Sequence, residues 1–182
     1  MKYEPKIVAL KDGSAALFRS PELEDAASFL DFFSAVRAET DFLLSSPQDP
    51  APTLEEERAW IENSLNSPDQ MMIACQMDGR IAGNCSIAFK SHAKTRHRAS
   101  LAIALRQKYW GRGIGTAMFT ELITAARQRG VTQLELDYIE GNDRGRALYE
   151  KMGFRPWGEQ PDAIRLRDGS FRSIICMRLV LS

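Results

Sequence analysis

Three glycines at alternate positions, Gly111, Gly113 and Gly115, lie within the stretch KYWGRGIGTAMFTELITAARQRG that runs from Lys108 to Gly130. An apolar strand-like run precedes them and a helical pattern follows. Glycine takes positive φ without strain and lets a ligand approach with no Cβ in the way. A turn of this kind aims several backbone N–H groups at one point, at the positive end of the helix dipole. That is a socket for a phosphate or a pyrophosphate. Arg112 within the turn, and Arg106 and Lys108 before it, add positive charge. A turn that binds nothing would need only one glycine, and glycines weaken a helix start.

A second group of chemically capable residues follows. Glu135 and Asp137 alternate with Leu134, Leu136 and Tyr138, so the two carboxylates share one face of a predicted strand. Asn142 and Tyr149 then flank a short helical pattern in GNDRGRALYEKMGF, where Asn142 or Asp143 supplies an N-cap. Glu39, Asp41 and Phe42 stand at a helix-to-loop junction whose neighbourhood is acidic, with Asp49 and Glu55 to Glu57 close by. An acidic mouth of this kind favours a cationic amine. Taken singly, these carboxylates read as solvated surface charge.

The elements that must position these groups follow from periodicity. Ala15 to Arg19 reads as a first strand, and Pro21-Glu22 opens a helix to about Glu39 with Leu23, Ala26, Ala27, Leu30, Phe33 and Ala35 on its apolar side. Thr40 to Pro52 is a loop. Thr53 and Glu56 form a capping box for a second helix, which stops near Pro68. Met71 to Met77 and Arg80 to Lys90 make a hairpin through Asp78-Gly79. Ala99 to Leu105 is the strand that feeds the glycine turn. The helix after it runs from Ile114 to Arg129, with Ile114, Met118, Leu122 and Ala125 in one stripe and Gly130 closing it. Phe154 to Trp157 and Ser170 to Leu181 supply two last strands. The order β α α β β β α β α β β implies one mixed α/β sheet with helices on both faces.

Composition narrows the function classes. The 182 residues are most simply a single domain spanning 1–182. Basic and acidic residues number 24 each, so the chain has no general nucleic-acid footprint. Cys75, Cys85 and Cys176 are odd in number and lack a CxxC spacing, which reads as buried reduced thiols in a cytoplasmic protein. The two histidines, His92 and His97, have no ligand spacing, so no metal site is expected. No run reaches the roughly 20 apolar residues of a membrane span.

With these residues in view, the chain resembles the GNAT superfamily of acyl-CoA-dependent N-acetyltransferases. LAIALRQKYWGRGIGTAM is similar to that family's strand, pyrophosphate loop and helix, and GNDRGRALYEKMGF to the segment that follows. The chain departs from the family at Trp110, often Arg or Gln; at Gly145, often Ala; and at Ser173, often acidic. The resemblance implies a mostly antiparallel sheet flanked by helices, with a parallel strand pair splayed at the acyl-CoA site. It implies acetyl-CoA as co-substrate and an amine as acceptor, with homodimers common among relatives. The diphosphate would lie on Gly111, Arg112, Gly113, Ile114, Gly115 and Thr116. The pantetheine arm would pair with the edge at Ile103, Ala104 and Leu105 and bond to Asn142, while Arg144, Arg146 or Lys151 reaches the 3′-phosphate.

Acyl transfer to an amine sets two proton problems. A lysine-like amine has a pKa near ~10.4, so freeing it at pH 7 costs roughly 4–5 kcal/mol. Glu135, Asp137 or a water chain is the candidate base, and Tyr149, matching the family's tyrosine, the candidate general acid for the departing thiolate. The acceptor would contact Glu39, Asp41 and Phe42. Two other readings remain open at this point. GxGxG followed by Glu135 and Asp137 imitates the fingerprint of a Rossmann-type NAD(P) oxidoreductase. A catalytically silent acyl-CoA-binding module would keep the same motifs.

Overall fold

The computed structural model describes residues 1–181. In chain order it contains β1 (Lys6–Ala9), β2 (Ala15–Arg19), α1 (Ala26–Glu39), α2 (Leu54–Asn66), β3 (Gln70–Met77), β4 (Arg80–Phe89), β5 (Arg98–Leu105), α3 (Ile114–Gln128), β6 (Gln133–Ile139), α4 (Asp143–Lys151), β7 (Arg155–Arg165) and β8 (Phe171–Val180). Short 3₁₀ turns precede α1, at Leu23–Asp25, and follow β5, at Gln107–Tyr109. The strands form one sheet in the order β1-β2-β3-β4-β5-β6-β8-β7. Among the described residues, only the β5–β6 pairing is parallel. The Rossmann reading is thereby corrected, because a dinucleotide fold needs a parallel, doubly wound sheet.

Alternation along the strands separates two cores. Cys75, Ile73, Leu101, Leu134, Leu136 and Met177 face α3 and α4, where Met118, Phe119, Leu122 and Tyr149 meet them. Met72, Ala74 and Ile81 face α1 and α2, against Phe29, Phe32, Val36 and Ile61. Helices thus cover both faces, as the element order implied. The Thr53–Glu56 capping box is present, and Asp78 and Gly79 both take positive φ in the hairpin turn.

Three details differ from the sequence expectation. The buried stripe of α1 is Ala26, Phe29, Phe32 and Val36, not the one begun at Leu23. Leu23 belongs to the 3₁₀ turn, so counting from it shifts the helical phase. β1 was not expected. It is a four-residue edge strand, too short to establish an alternation, and its Ile7 is exposed. β7 extends past Trp157 to Arg165 because register shifts at Pro156/Gly158 and Gln160/Ile164 absorb the residues that interrupt its pattern.

What positions the site is an interruption in the sheet. β5 and β6 pair only at Arg98↔Gln133, Ala99↔Leu134 and Ser100↔Glu135. Beyond that, β5 stays paired with β4 as far as Gly83↔Leu105, and β6 with β8 as far as Ile139↔Ile174. Each strand is held on its outer side while the inner sides part. Gly83 assists, since a Cβ there would lie 2.1 Å from Leu105 Cδ2.

Candidate active site

The gap between β5 and β6 opens toward the glycine turn. Gly111 and Gly113 have φ of +78° and +93°, the left-handed region that disfavours any side chain. Gly113 is the N-cap of α3 and contributes no capping side chain, so the first N–H groups of the helix, at Ile114, Gly115 and Thr116, lack an intrahelical acceptor. Gly115 is glycine for a different reason. A Cβ there would meet Leu148 of α4 at 2.9 Å and Leu105 of β5 at 3.5 Å. The turn, the end of β5 and α4 therefore converge at that residue.

Arg112 is committed elsewhere: its Nε donates to Asp12 Oδ2 in the β1–β2 turn at 2.5 Å. Ser14 and Arg112 together hold the Asp12 carboxyl well below its ordinary range. The Arg112–Asp12 bond ties the glycine turn to the β1–β2 turn. Trp110 occupies the departure position. Its Nε1 donates to the Leu105 carbonyl at 3.0 Å, and the Arg144 guanidinium lies 4.7 Å from the center of its ring. Lys151 Nζ lies 3.3 Å from Thr116 Oγ1, which brings a second cation from α4 to the first turn of α3.

α4 spans the gap at its other wall. Asn142 Oδ1 accepts from the Gly145 N–H at 2.9 Å, and a Cβ at 145 would come within 2.7 Å of that carboxamide. Gly145 leaves the space in which the cap sits. Tyr149 is buried against Phe119 and Tyr138, with ring centers 5.6 and 5.9 Å away. Burial, and secondarily Tyr138, pushes its hydroxyl up to about 12, so it stays protonated at neutral pH.

The two candidate carboxylates differ. Glu135 accepts from Arg98 Nε and Nη2 at 2.6 and 2.7 Å, and from Gln133 Nε2 at 2.6 Å. Burial raises its carboxyl, but those bonds outweigh burial and hold it below the ordinary carboxylate range. It clamps the closed end of the parallel pair. Asp137 is exposed on the same face, one pleat farther into the open part. The cysteines are poor nucleophiles. Burial pushes Cys75 to about 12 and Cys85 well above its usual value.

Around the mouth the structure separates the three acceptor candidates. Glu39 is bound just past the end of β5, where its Oε2 accepts from the Gln107 N–H at 2.7 Å. Phe42 reaches the β6–α4 loop, 3.6 Å from where a Cβ on Gly141 would stand. Asp41 lies 4.0 Å from Arg167 of the β7–β8 turn. Sequence reasoning missed Glu140 and Glu159. The Ser173 hydroxyl donates to Glu159 Oε1 at 2.5 Å and its N–H to Glu140 Oε2 at 3.2 Å. Ser173 thus holds two glutamate carboxylates beside it. No cluster of metal-ligating side chains occurs among the described residues, and none of their helices is long and apolar enough to cross a membrane.

Comparison with known proteins adds independent findings. Residues 35–154 match the family described as the acetyltransferase (GNAT) family. A mycothiol acetyltransferase from Beutenbergia cavernae is 51% identical over 47 residues, 25% of this chain and 16% of that protein. The match therefore spans well under two thirds of that relative. An acetyltransferase of the GNAT family from Streptococcus pneumoniae is 28% identical with a TM-score of 0.83, covering 91% of this chain and 99% of its own. The fold is also that of yncA from Salmonella typhimurium, solved with its cofactor acetyl-CoA, at 18% identity and a TM-score of 0.77 over 93% and 95% of the two chains.

Proposed function

The chain belongs to the GNAT acetyltransferase family, and on that premise we propose that it transfers an acetyl group from acetyl-CoA to a primary amine by direct attack in a ternary complex. The observation that carries this reading is the loss of β5–β6 pairing after Ser100 and Glu135, beside an uncapped glycine turn. The edge of β5 at Ile103, Ala104 and Leu105 has lost β6 as a neighbour and offers a strand-like arm backbone partners, the Leu105 carbonyl already accepting from Trp110. The amides of Ile114, Gly115 and Thr116 suit a diphosphate. Lys151 reaches Thr116 at the start of α3, and Arg144 lies over Trp110 beside the turn.

The chemistry then needs one base and one acid. The amine nitrogen attacks the thioester carbonyl, its proton passes to Asp137 directly or through water, and the C–S bond breaks as Tyr149 protonates the departing sulfur. Solvent restores the tyrosine proton. Asp137 suits the base role better than Glu135, whose lone pairs are engaged by Arg98 and Gln133. Phe42 and Asp41 border the amine's entrance, and Glu140 and Glu159 make its surroundings acidic.

A thermal-shift comparison of acetyl-CoA, NADPH, NADH and ATP tests the cofactor. A ligand at 100 times its Kd stabilises by about 2.7 kcal/mol, or roughly 5–10 °C for a domain of this size. A shift with acetyl-CoA alone leads to an amine panel read by free-thiol release. A shift with a nicotinamide nucleotide alone overturns the proposal.

A further inference from the structure

A cavity of about 350 Å³ opens between α1 and α2, and none of the residues that line it belongs to the β5–β6 gap. Phe33 and Arg37 of α1, Glu56, Glu57 and Trp60 of α2, and Ser45 and Pro52 of the intervening loop form its walls. Its volume is at the lower end of the roughly 300–1,000 Å³ of small-molecule pockets, which suits one small molecule.

The polar groups of this cavity are incomplete. Glu57 is only 5% exposed, and its Oε1 has no hydrogen-bond partner among the described residues. Arg37 Nε is likewise buried and unpartnered. A carboxylate in the first turn of α2 has a helix-dipole rationale, but such a group ordinarily keeps its water. The neighbouring Glu56 already serves the cap, accepting from Thr53 N–H at 2.7 Å. Glu57 and Arg37 also fail to satisfy each other, since no ion pair joins them among the described residues. Burial raises the Glu57 carboxyl while the Arg37 charge, close enough to be felt, opposes that rise. A buried carboxylate oxygen and a buried guanidinium N–H, each short of a partner, are costly unless something bridges them.

The bridging molecule must carry both an N–H donor for the carboxylate and an acceptor for the guanidinium. A lone cation would be repelled by Arg37 and a lone anion by Glu57. Phe33 and Trp60, with ring centers 5.7 Å apart and planes at 77°, add an aromatic wall for an apolar group. We propose that the cavity binds a zwitterionic α-amino acid, its ammonium on Glu57, its carboxylate on Arg37 and its side chain against Phe33 and Trp60. The site is independent of acetyl transfer and can be measured without acetyl-CoA.

Calorimetric titration of the full chain with L-leucine, L-methionine, L-phenylalanine and L-arginine tests this. At least one is expected to bind saturably at a single site. Its N-acetyl and methyl ester forms, each lacking one charge, are expected to bind about tenfold more weakly or worse. Glu57→Gln and Arg37→Met, each checked for an unchanged circular dichroism spectrum, are expected to weaken the parent ligand by about the same factor. Absence of binding by all four up to about 10 mM would leave the cavity to water and overturn the proposal. So would an ester that binds as tightly as its parent, or two variants that bind like the wild type.

Discussion

Tyr149 combines two properties that rarely conflict in one side chain. Its ring is packing material between Phe119 and Tyr138, while its hydroxyl is the only part a phenylalanine would lack. Tyr149→Phe therefore preserves the fold and removes the acid. We expect kcat to fall about 100-fold, the lower end of general acid contributions, with acetyl-CoA affinity unchanged. Turnover at the wild-type level on a good acceptor would remove Tyr149 from the mechanism. Because burial pushes the hydroxyl to about 12, the acid remains loaded through the neutral and mildly alkaline range. The kcat profile should accordingly show no alkaline decline below about pH 10. The backbone of the glycine turn was legible in the sequence because a turn with positive φ at Gly111 and Gly113 leading into a helix is a local feature. Glu135 was not. Its partner Arg98 lies 37 residues away, and nothing local distinguishes a clamping carboxylate from a basic one.

Elements set where the gap begins. The Arg98–Glu135 pair ties the first of the three paired rungs of β5 and β6 to the last, with side chains 33% and 14% exposed. A half-buried, doubly bonded pair of this kind contributes about 1–2 kcal/mol. Arg98→Met should lower Tm by roughly 2–8 °C at pH 7. The sign with pH follows from Glu135, whose carboxyl is held below its unfolded value. Its stabilisation is complete above the ordinary carboxylate pKa of about 4.3 and is lost as pH falls through the lower folded value. The gap in Tm between wild type and variant should hold at pH 6–7 and close under acid; a gap that persists at low pH would show that the pair is not its source. At the glycine turn, Gly113→Asp places a side chain at φ +93° and a negative charge beside the uncapped α3 amides. Acetyl-CoA affinity should weaken by about tenfold or more. An unchanged titration would remove the turn from the site. Element order was largely readable, since it rests on period and punctuation. The phase of α1 and the length of β7 were not, because a 3₁₀ turn and two register shifts alter the count without a strong sequence signal.

At the scale of the whole molecule, the sheet is two paired halves joined by three rungs. β1 to β5 form one and β6, β8 and β7 the other, with α3 and α4 lying across the junction on one face. Both walls of the gap are already hydrogen-bonded on their far sides, so the opening exists without ligand. Filling it requires no closure of the sheet. The free edge of β5 would instead gain a strand-like partner, and the turn amides an anion. Hydrogen exchange with and without acetyl-CoA distinguishes this from a domain-wide tightening. We expect slowed exchange confined to residues 101–105, 111–117 and 141–149, with β1, β2 and β7 unaltered. Protection spread evenly over both halves would mean that the sheet itself closes on the ligand. Protection limited to α1 and α2 would place acetyl-CoA outside the gap altogether.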